Sequence, residues 1–395
     1  MVQLPHFEKN LHFITTSQKS SHIYAETYAL DVSLPIFFFS WWPKNKVGIS
    51  LWYRMYISVW SWFIICFMLL GTWSTTQAQP LERYSFRRGL MGTQFTVTLY
   101  APDSLTAQRV YAQVSARMDT LNTILSDYLD GSEINRLSQS SGSKQAVPVS
   151  AELFDILQKG CRIAHQSGGR FDPTIGPLSQ LWRRAVRQRT FPPAKERRQA
   201  RRAVGYRLIR LDTVRRTVRL LRPRMRLDVG GIGQGFAVDE AGRVLRAASI
   251  SRFLLDLGGD VLAGDPPPER PQGWRVDMGS GTNARPDPAD TLIIYLKNGA
   301  ITTSGDTYRH LDLNGRRYSH IMNPRSGLGL THFVRTTVLA PDGYRADALT
   351  KVFSLSRGLL SYWGPNKRLA RRFPGIQVWV VEQKKGRLLR WQSTR

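Results

Sequence analysis

The chain is poor in cysteine and in acid. Only Cys66 and Cys161 occur among 395 residues, so no disulfide framework can organise the fold. Asp and Glu number 29 against 56 Lys and Arg, a formal net charge of +27. Internal repeats and low-complexity tracts are also missing, which argues against repeat architectures and disordered chains. Two nucleotide signatures are absent as well. No glycine triplet has the G-x-G-x-x-G spacing of a dinucleotide fold, and Gly235 is followed by Phe236 rather than the Lys of a Walker loop. With 42% hydrophobic residues the chain can bury one large core or two moderate ones, as a globular enzyme does.

The positive charge is uneven. Between Arg183 and Arg226 stand seventeen Lys and Arg against Glu196 and Asp212. The stretch lacks the regular aromatic interleaving of a single-strand-binding surface. It reads as a solvated basic insertion near 183–226, with attraction to an anionic membrane surface or an acidic partner as the sharper alternative.

Near the N-terminus, residues 55–70 form an apolar run that leads to Thr76-Gln77-Ala78, small residues at the spacing of a signal-peptidase site. The expectation is a signal peptide over 55–78, cleaved after Ala78, and an exported, periplasmic or outer-face protein. An uncleaved anchor is the alternative, although the run is short for a span of about 20 residues. Residues 1–54 fit no targeting pattern, which points to Met55 as the true initiator, yet such a start leaves no Lys or Arg ahead of the apolar run. Ile64-Ile65-Cys66 lacks the small residue expected before a lipid-modified cysteine. Export in turn argues against nucleic acid as the partner of the basic stretch. Residues 79–395 remain as the folded domain.

Within that domain, Phe95, Val97 and Leu99 alternate with polar residues as in a half-buried strand. Val110, Val114, Met118, Leu121 and Leu125 recur at helical spacing after Asp103 and Ser104, which can cap the helix. Ser150 predicts a second helix over 151–166, stopped by Gly168-Gly169, with Cys161 on its apolar face as a core residue. Short strands are expected at 208–211, 217–221, 253–257, 274–278, 292–295, 336–339 and 377–381, and helices at 236–248 and 347–355. Pro266-Pro267-Pro268 and 279–290 read as exposed loops. The mixture is α+β, mixed sheets with packed helices.

The most specific segment is Leu227-Asp228-Val229-Gly230-Gly231-Ile232-Gly233-Gln234-Gly235, a strand running through a carboxylate and four glycines into a helix. Glycines at such a junction let backbone N–H groups approach an anion, and the helix presents its positive end. A tight structural turn is the equally plain reading. Around this segment stand Met91-Gly92-Thr93, Ser126-Asp127-Tyr128, Phe171-Asp172-Pro173-Thr174-Ile175-Gly176, Leu257-Gly258-Gly259-Asp260, Thr303-Ser304-Gly305-Asp306, Ser319-His320-Ile321-Met322-Asn323-Pro324-Arg325-Ser326-Gly327 and Ala346-Asp347-Ala348-Leu349. In this order the set resembles the FAD:protein FMN transferases, the ApbE family, from about Arg83 to the C-terminus.

The resemblance implies transfer of FMN from FAD to a Thr or Ser hydroxyl of a partner flavoprotein, a subunit of a membrane redox complex, with release of AMP. It assigns Met91, Tyr128, Phe171, Asp172, Pro173, Asp228, Gln234 and Ile321 to FAD binding. A thioether and an aromatic face suit a flat ring, and Asp228 sits at a strand end just before the glycines. Asp172 could equally cap the turn ahead of Thr174, and Gln234 stands where relatives often carry a charged residue. His320 is the candidate base for the acceptor hydroxyl, since imidazole titrates near working pH and lies beside the 323–327 loop; His165, His310 and His332 lack such a setting. Arg325 could pair with phosphate.

The resemblance also implies Mg2+, held by the carbonyl of Gly231 and by the Asp and Thr of an A-D-A-x-x-T motif. Here Lys351 occupies the Thr position and Thr350 lies one residue early, and an ammonium cannot ligate a metal. Either Thr350 turns to complete the set with Asp347, or the Lys351 ammonium partly replaces the cation. A protein that holds FAD without transferring it, and an FAD pyrophosphatase using water as acceptor, are the alternative functions.

Overall fold

The computed structural model describes residue 62 and residues 80–277, 293–305, 310–313, 315–356, 363–384 and 387–393. The chain divides into two compact units, Met1–Gln77 and Ala78–Arg395. Of the first only Trp62, an exposed helical residue, is described. The expected leader, the rest of the signal segment, Cys66, the 279–290 loop and Asp306 lie outside the described residues.

The second unit is built on an eight-stranded sheet of β1 (Glu82–Leu90), β2 (Thr93–Ala101), β3 (Phe253–Leu257), β4 (Asp260–Ala263), β5 (Gly299–Gly305), β6 (Val334–Ala340), β7 (Gln377–Lys384) and β8 (Arg387–Gln392). The strands lie side by side in chain order, each antiparallel to the next. Strict antiparallel order brings alternate connections to the same end of the sheet. The Met91-Gly92 turn, the Gly258-Gly259 turn, the end of β5 and the start of β6 therefore share one end.

Both faces of the sheet are covered. Phe95, Val97, Leu99, Leu262 and Ala300 belong to the main core under the helices, while Tyr100, Val261 and Ile301 face a smaller core with Trp274 and Leu296. Residues of opposite parity on one strand face opposite layers. In the strand expected at 95–99 Phe95, Val97 and Leu99 are fully buried and Thr96 is half-buried, and further along the second face Tyr100 meets Trp274 of a hairpin made by Trp274–Asp277 and Ile293–Leu296.

The α-helices described in this unit are α1 (Ser104–Leu125), α2 (Glu133–Gln139), α3 (Ala151–Gln166), α4 (Gly176–Gln188), α5 (Ala194–Arg202), α6 (Gly233–Ala247), α7 (Gly343–Ser354) and α8 (Trp363–Ala370). The periodic residues Val110, Val114, Met118, Leu121 and Leu125 are the buried face of α1, and the Asp103 side chain caps it by accepting from Thr106 N–H. Each such burial contributes roughly 1.5–3 kcal/mol. Ser150 caps α3, and Gly168 and Gly169 end it with φ of +64° and +76°.

The basic stretch is not a solvated appendage. Leu181, Trp182 and Ala185 are buried on α4, and Thr217–Leu220 pairs with both Ile209–Asp212 and Val147–Pro148 while sending Val218 and Leu220 into the main core. Most of its arginines keep their charge in water because strand and helix periods leave one face free, while Arg183, Arg197, Arg219 and Arg226 are half-buried. Among the described residues of the α-helices, those of α5 alone include none that is buried. Among the described residues no helix is long and apolar enough to cross a membrane.

Candidate functional site

The glycine-rich segment enters beside residues 172–175. Asp228 N–H donates to the Pro173 carbonyl at 2.9 Å, and Ile175 bridges Arg226 in parallel. Asp228 Oδ1 then accepts from Gly230 N–H at 2.8 Å, a local turn that bends the chain toward α6. No side chain caps α6 from its own N-cap residue, Ile232. A Cβ on Gly235 would stand 2.2 Å from the Gly343 carbonyl oxygen, so α6 and α7 can cross this closely only with glycine there. Asp239, one turn further, accepts from Gly343 N–H at 2.7 Å and Tyr344 N–H at 2.9 Å, capping α7 from its neighbour. The helix predicted from 347 begins at Gly343 because this cap and Asp342 satisfy its first donors.

Arg183 links two segments that are far apart in the chain. Its guanidinium meets Asp127 at 2.6 Å and Asp228 at 3.4 Å, and lies 4.1 Å over the ring of Tyr128. Tyr128 is 73% exposed, so a surface of its ring is open to a planar ligand. Burial, and then the Asp228 charge, push the Asp127 carboxyl above its ordinary range against the pull of Arg183.

Phe171, Asp172 and Pro173 form the adjoining wall. Phe171 is buried, with its ring 3.4 Å from where a Gly231 side chain would begin. Asp172 is occupied within the fold: Oδ1 accepts from Thr174 N–H and hydroxyl, and Oδ2 from Tyr206 N–H. Its carboxyl is raised by burial, which these hydrogen bonds oppose. Cys161 packs against the main core and burial pushes its thiol up to about 12, the property of an inert core residue. Met91 sits at the sheet end in a two-residue turn, with φ of +48° at Met91 and +73° at Gly92, and packs on the main core. Gln234 is half-buried at the second position of α6.

Asp347, on α7, is almost completely buried. Oδ2 accepts from Gly235 N–H at 3.2 Å, and Oδ1 pairs with the Lys351 ammonium one turn along the same helix. The Lys351 stem passes Gly231, with Cε 3.7 Å from where a Cβ there would stand. Asp260, from the Leu257-Gly258-Gly259-Asp260 turn, is buried nearby and accepts from Thr302 Oγ1 at 2.7 Å. Desolvation and the Asp347 charge hold its carboxyl well above the usual range, although Lys351 and Thr302 oppose this.

These contacts decide how Mg2+ fits. The buried Thr350 Oγ1 lies 2.7 Å from the Asp347 carbonyl and 2.9 Å from Ser304 Oγ, turned to β5. Helical geometry sets Thr350 on a different side from Lys351, whose four-residue spacing aligns it with Asp347. Gly231, Asp347 and Thr350 therefore do not assemble as a ligand set, and the expectation that Thr350 turns to complete it is corrected. Among the described residues no group of three His, Cys, Asp or Glu could hold a metal ion. The residues do not fit the metal.

His320 follows the hairpin of His310–Leu313 and Arg316–Ser319 and is exposed. That hairpin packs on α4 through Leu311, Tyr318 and Trp182, whose indole N–H donates to the Gly327 carbonyl at 2.9 Å. One helix thus carries Arg183 and supports the His320 segment. Ile321 N–H donates to Ser319 Oγ and its carbonyl accepts from Leu330, so its N–H is already committed within the loop. Arg325 donates to the Gly168 carbonyl at 2.6 Å, tying this loop to the end of α3.

The profile of the ApbE family matches residues 91–358. The chain belongs to the ApbE family. It is similar to the FAD:protein FMN transferase of Klebsiella pneumoniae, 28% identical over 340 residues that cover 83% of this chain and 93% of the relative. It is 28% identical over 268 residues to the protein of the same name from Haemophilus influenzae, covering 66% and 77% of the two. Its fold resembles that of the Vibrio cholerae flavin transferase ApbE, with a TM-score of 0.69 at 22% identity over 80% of this chain and 98% of that one. The apo flavinyl transferase ApbE of Pseudomonas stutzeri gives the same TM-score at 24% identity, over 80% and 95%. The α+β architecture is that of ApbE flavin transferases.

Around this site, Arg183, Asp127, Asp239 and Asp260 make contacts to which sequence reasoning gave no role. Arg183 was concealed in a run of arginines, and only its two carboxylate partners distinguish it. Asp260 stood in a recognised motif, where the adjacent glycines were the available signal.

Proposed function

We propose that this ApbE-family chain is an FAD:protein FMN transferase, which moves the FMN part of FAD onto a Thr or Ser hydroxyl of a partner flavoprotein and releases AMP. The acceptor oxygen bonds to the FMN phosphorus, the bond from that phosphorus to the bridging oxygen breaks, and the hydroxyl proton is taken by a base. The observation that carries the reading is the Arg183 bridge, which joins the Tyr128 ring to Asp228 at the glycine-rich turn. It sets a platform for a planar ring beside the glycine-rich turn that opens α6, whose positive end favours an anion.

In this reading Tyr128, Met91 and the 171–173 wall hold the isoalloxazine, and Asp228, Gln234 and Ile321 contact the rest of FAD. The positive end of α6 and the Lys351 ammonium draw the pyrophosphate, and His320 takes the acceptor proton. Positioning and electrostatics account for most of such a transfer, since phosphoryl chemistry asks little covalent work of the protein. No step is assigned to Mg2+.

The apolar 55–70 run and Thr76-Gln77-Ala78 support export, with the enzyme periplasmic or on the outer face of the inner membrane. An exported enzyme would meet its acceptor in a membrane redox complex, and the unburied basic face of α5 suits an anionic membrane surface there. The test of the activity is mass spectrometry of a candidate acceptor after incubation with the purified protein and FAD. The expected product is heavier by one FMN less one water, with AMP released in equal amount. An unmodified acceptor with AMP and free FMN in solution would identify a pyrophosphatase instead.

A further inference from the structure

The charge around Asp347 is balanced within the chain. Two carboxyls, Asp347 and Asp260, are buried at the end of the sheet where the glycine turns gather. Asp347 has both oxygens committed, one to the α6 backbone at Gly235 and one to Lys351. Lys351 is partly exposed, with 22% of its side chain accessible, so the pair it forms with the buried acid is open to solvent on the lysine side. Its stem fills the space beside Gly231. An ammonium offers three donors, and Asp347 takes one. A divalent ion beside Asp347 would have to displace this cation, which stays on the same helix one turn away and would repel it.

We infer that Lys351 is the resident cation of this site, standing beside Asp347 where a divalent metal would otherwise be needed, and that the chain handles a pyrophosphate substrate without Mg2+. The inference rests on the flavin-transfer reading for the identity of that substrate. The cation's position does not. An ammonium fixed one helical turn from its counter-ion is preorganised and neutralises one charge, whereas Mg2+ would bring two and its own water shell. Thr at position 351 would instead offer a hydroxyl on the same helix face as Asp347, leaving that acid without a cation.

The test uses the full chain and two separate readouts. Calorimetric titration of the ligand-free protein with MgCl2 should give no binding heat for wild type and a single site for Lys351→Thr. In the transfer assay, wild type should work at the same rate, within about twofold, in EDTA and in Mg2+. Lys351→Thr should need Mg2+, and Lys351→Met should bind FAD roughly tenfold more weakly in either buffer. Stoichiometric Mg2+ binding by wild type, or transfer that stops on chelation and returns with Mg2+, overturns the inference. So does a Lys351→Met protein that equals wild type in EDTA. If wild type transfers nothing in either buffer, the flavin-transfer reading fails, and the calorimetry still decides whether Lys351 has displaced the metal. That titration of wild type needs no variant to fold.

Discussion

Gly235 and Asp347 lie 112 positions apart, and the backbone N–H of the first donates to the carboxylate of the second at 3.2 Å. The contact exists because α6 and α7 cross where Gly235 and Gly343 leave no side chains between them. Gly235→Ala would place a methyl 2.2 Å from the Gly343 oxygen and 2.7 Å from Asp347 Cβ. A loss of about 2–4 kcal/mol in stability is expected, read by thermal or urea unfolding. Gly89→Ala, with nothing within 4 Å of the new Cβ, should stay near wild type.

Arg183 should matter for flavin binding well beyond its share of the surface charge. Arg183→Met removes the partner of Asp127 and Asp228 and the cation over Tyr128 while keeping an apolar stem. FAD affinity should fall roughly tenfold, about 1.4 kcal/mol, in a flavin-fluorescence titration. Arg184→Met, which breaks only the exposed pair with Glu196, should change it little.

His320→Ala should leave FAD binding close to wild type and slow transfer by roughly 10²–10⁴-fold, the range of a lost general base. The comparison needs both assays. A parallel loss of binding and transfer would assign His320 to the flavin pocket rather than to the acceptor proton.

Asp239 gives a pH dependence of defined sign. Burial raises its carboxyl from 3.8 to about 6, although two backbone N–H groups at the start of α7 pull the other way. Between these values the folded protein holds a proton that the unfolded chain has released. Its stabilising contribution is therefore complete below about pH 4 and is lost as pH rises through 6, to an extent of about 3 kcal/mol. Asp239→Asn removes this titration, so wild type minus variant stability should decline across that window in chemical unfolding at stepped pH. A difference independent of pH would show that Asp239 is ionised throughout.

Much of the fold was legible because local rules act over a few residues. The α1 and α3 periods, the caps at Asp103 and Ser150, and the strand at 253–257 all rest on neighbours in the chain. The α4 helix was missed because its arginines mask the buried stripe of Leu178, Leu181, Trp182 and Ala185 and its first turn holds Pro177. Such a proline is acceptable at a helix start, where its missing N–H would have no partner. The α7 start was placed late because its decisive cap, Asp239, comes from another helix.

By itself the sequence determined the types of the strongly periodic elements, the ordered motifs and hence the family, since these depend on composition, period and residue order. It also placed Lys351 where a ligand was expected. Only the tertiary structure decided that Lys351 pairs with Asp347 while Thr350 turns to Ser304, and that Arg183 joins Tyr128 to Asp228. Charges interact over a few ångströms whatever their separation along the chain, so the crossing of α6 with α7 and the packing of α4 had to bring those groups together before any role could be assigned.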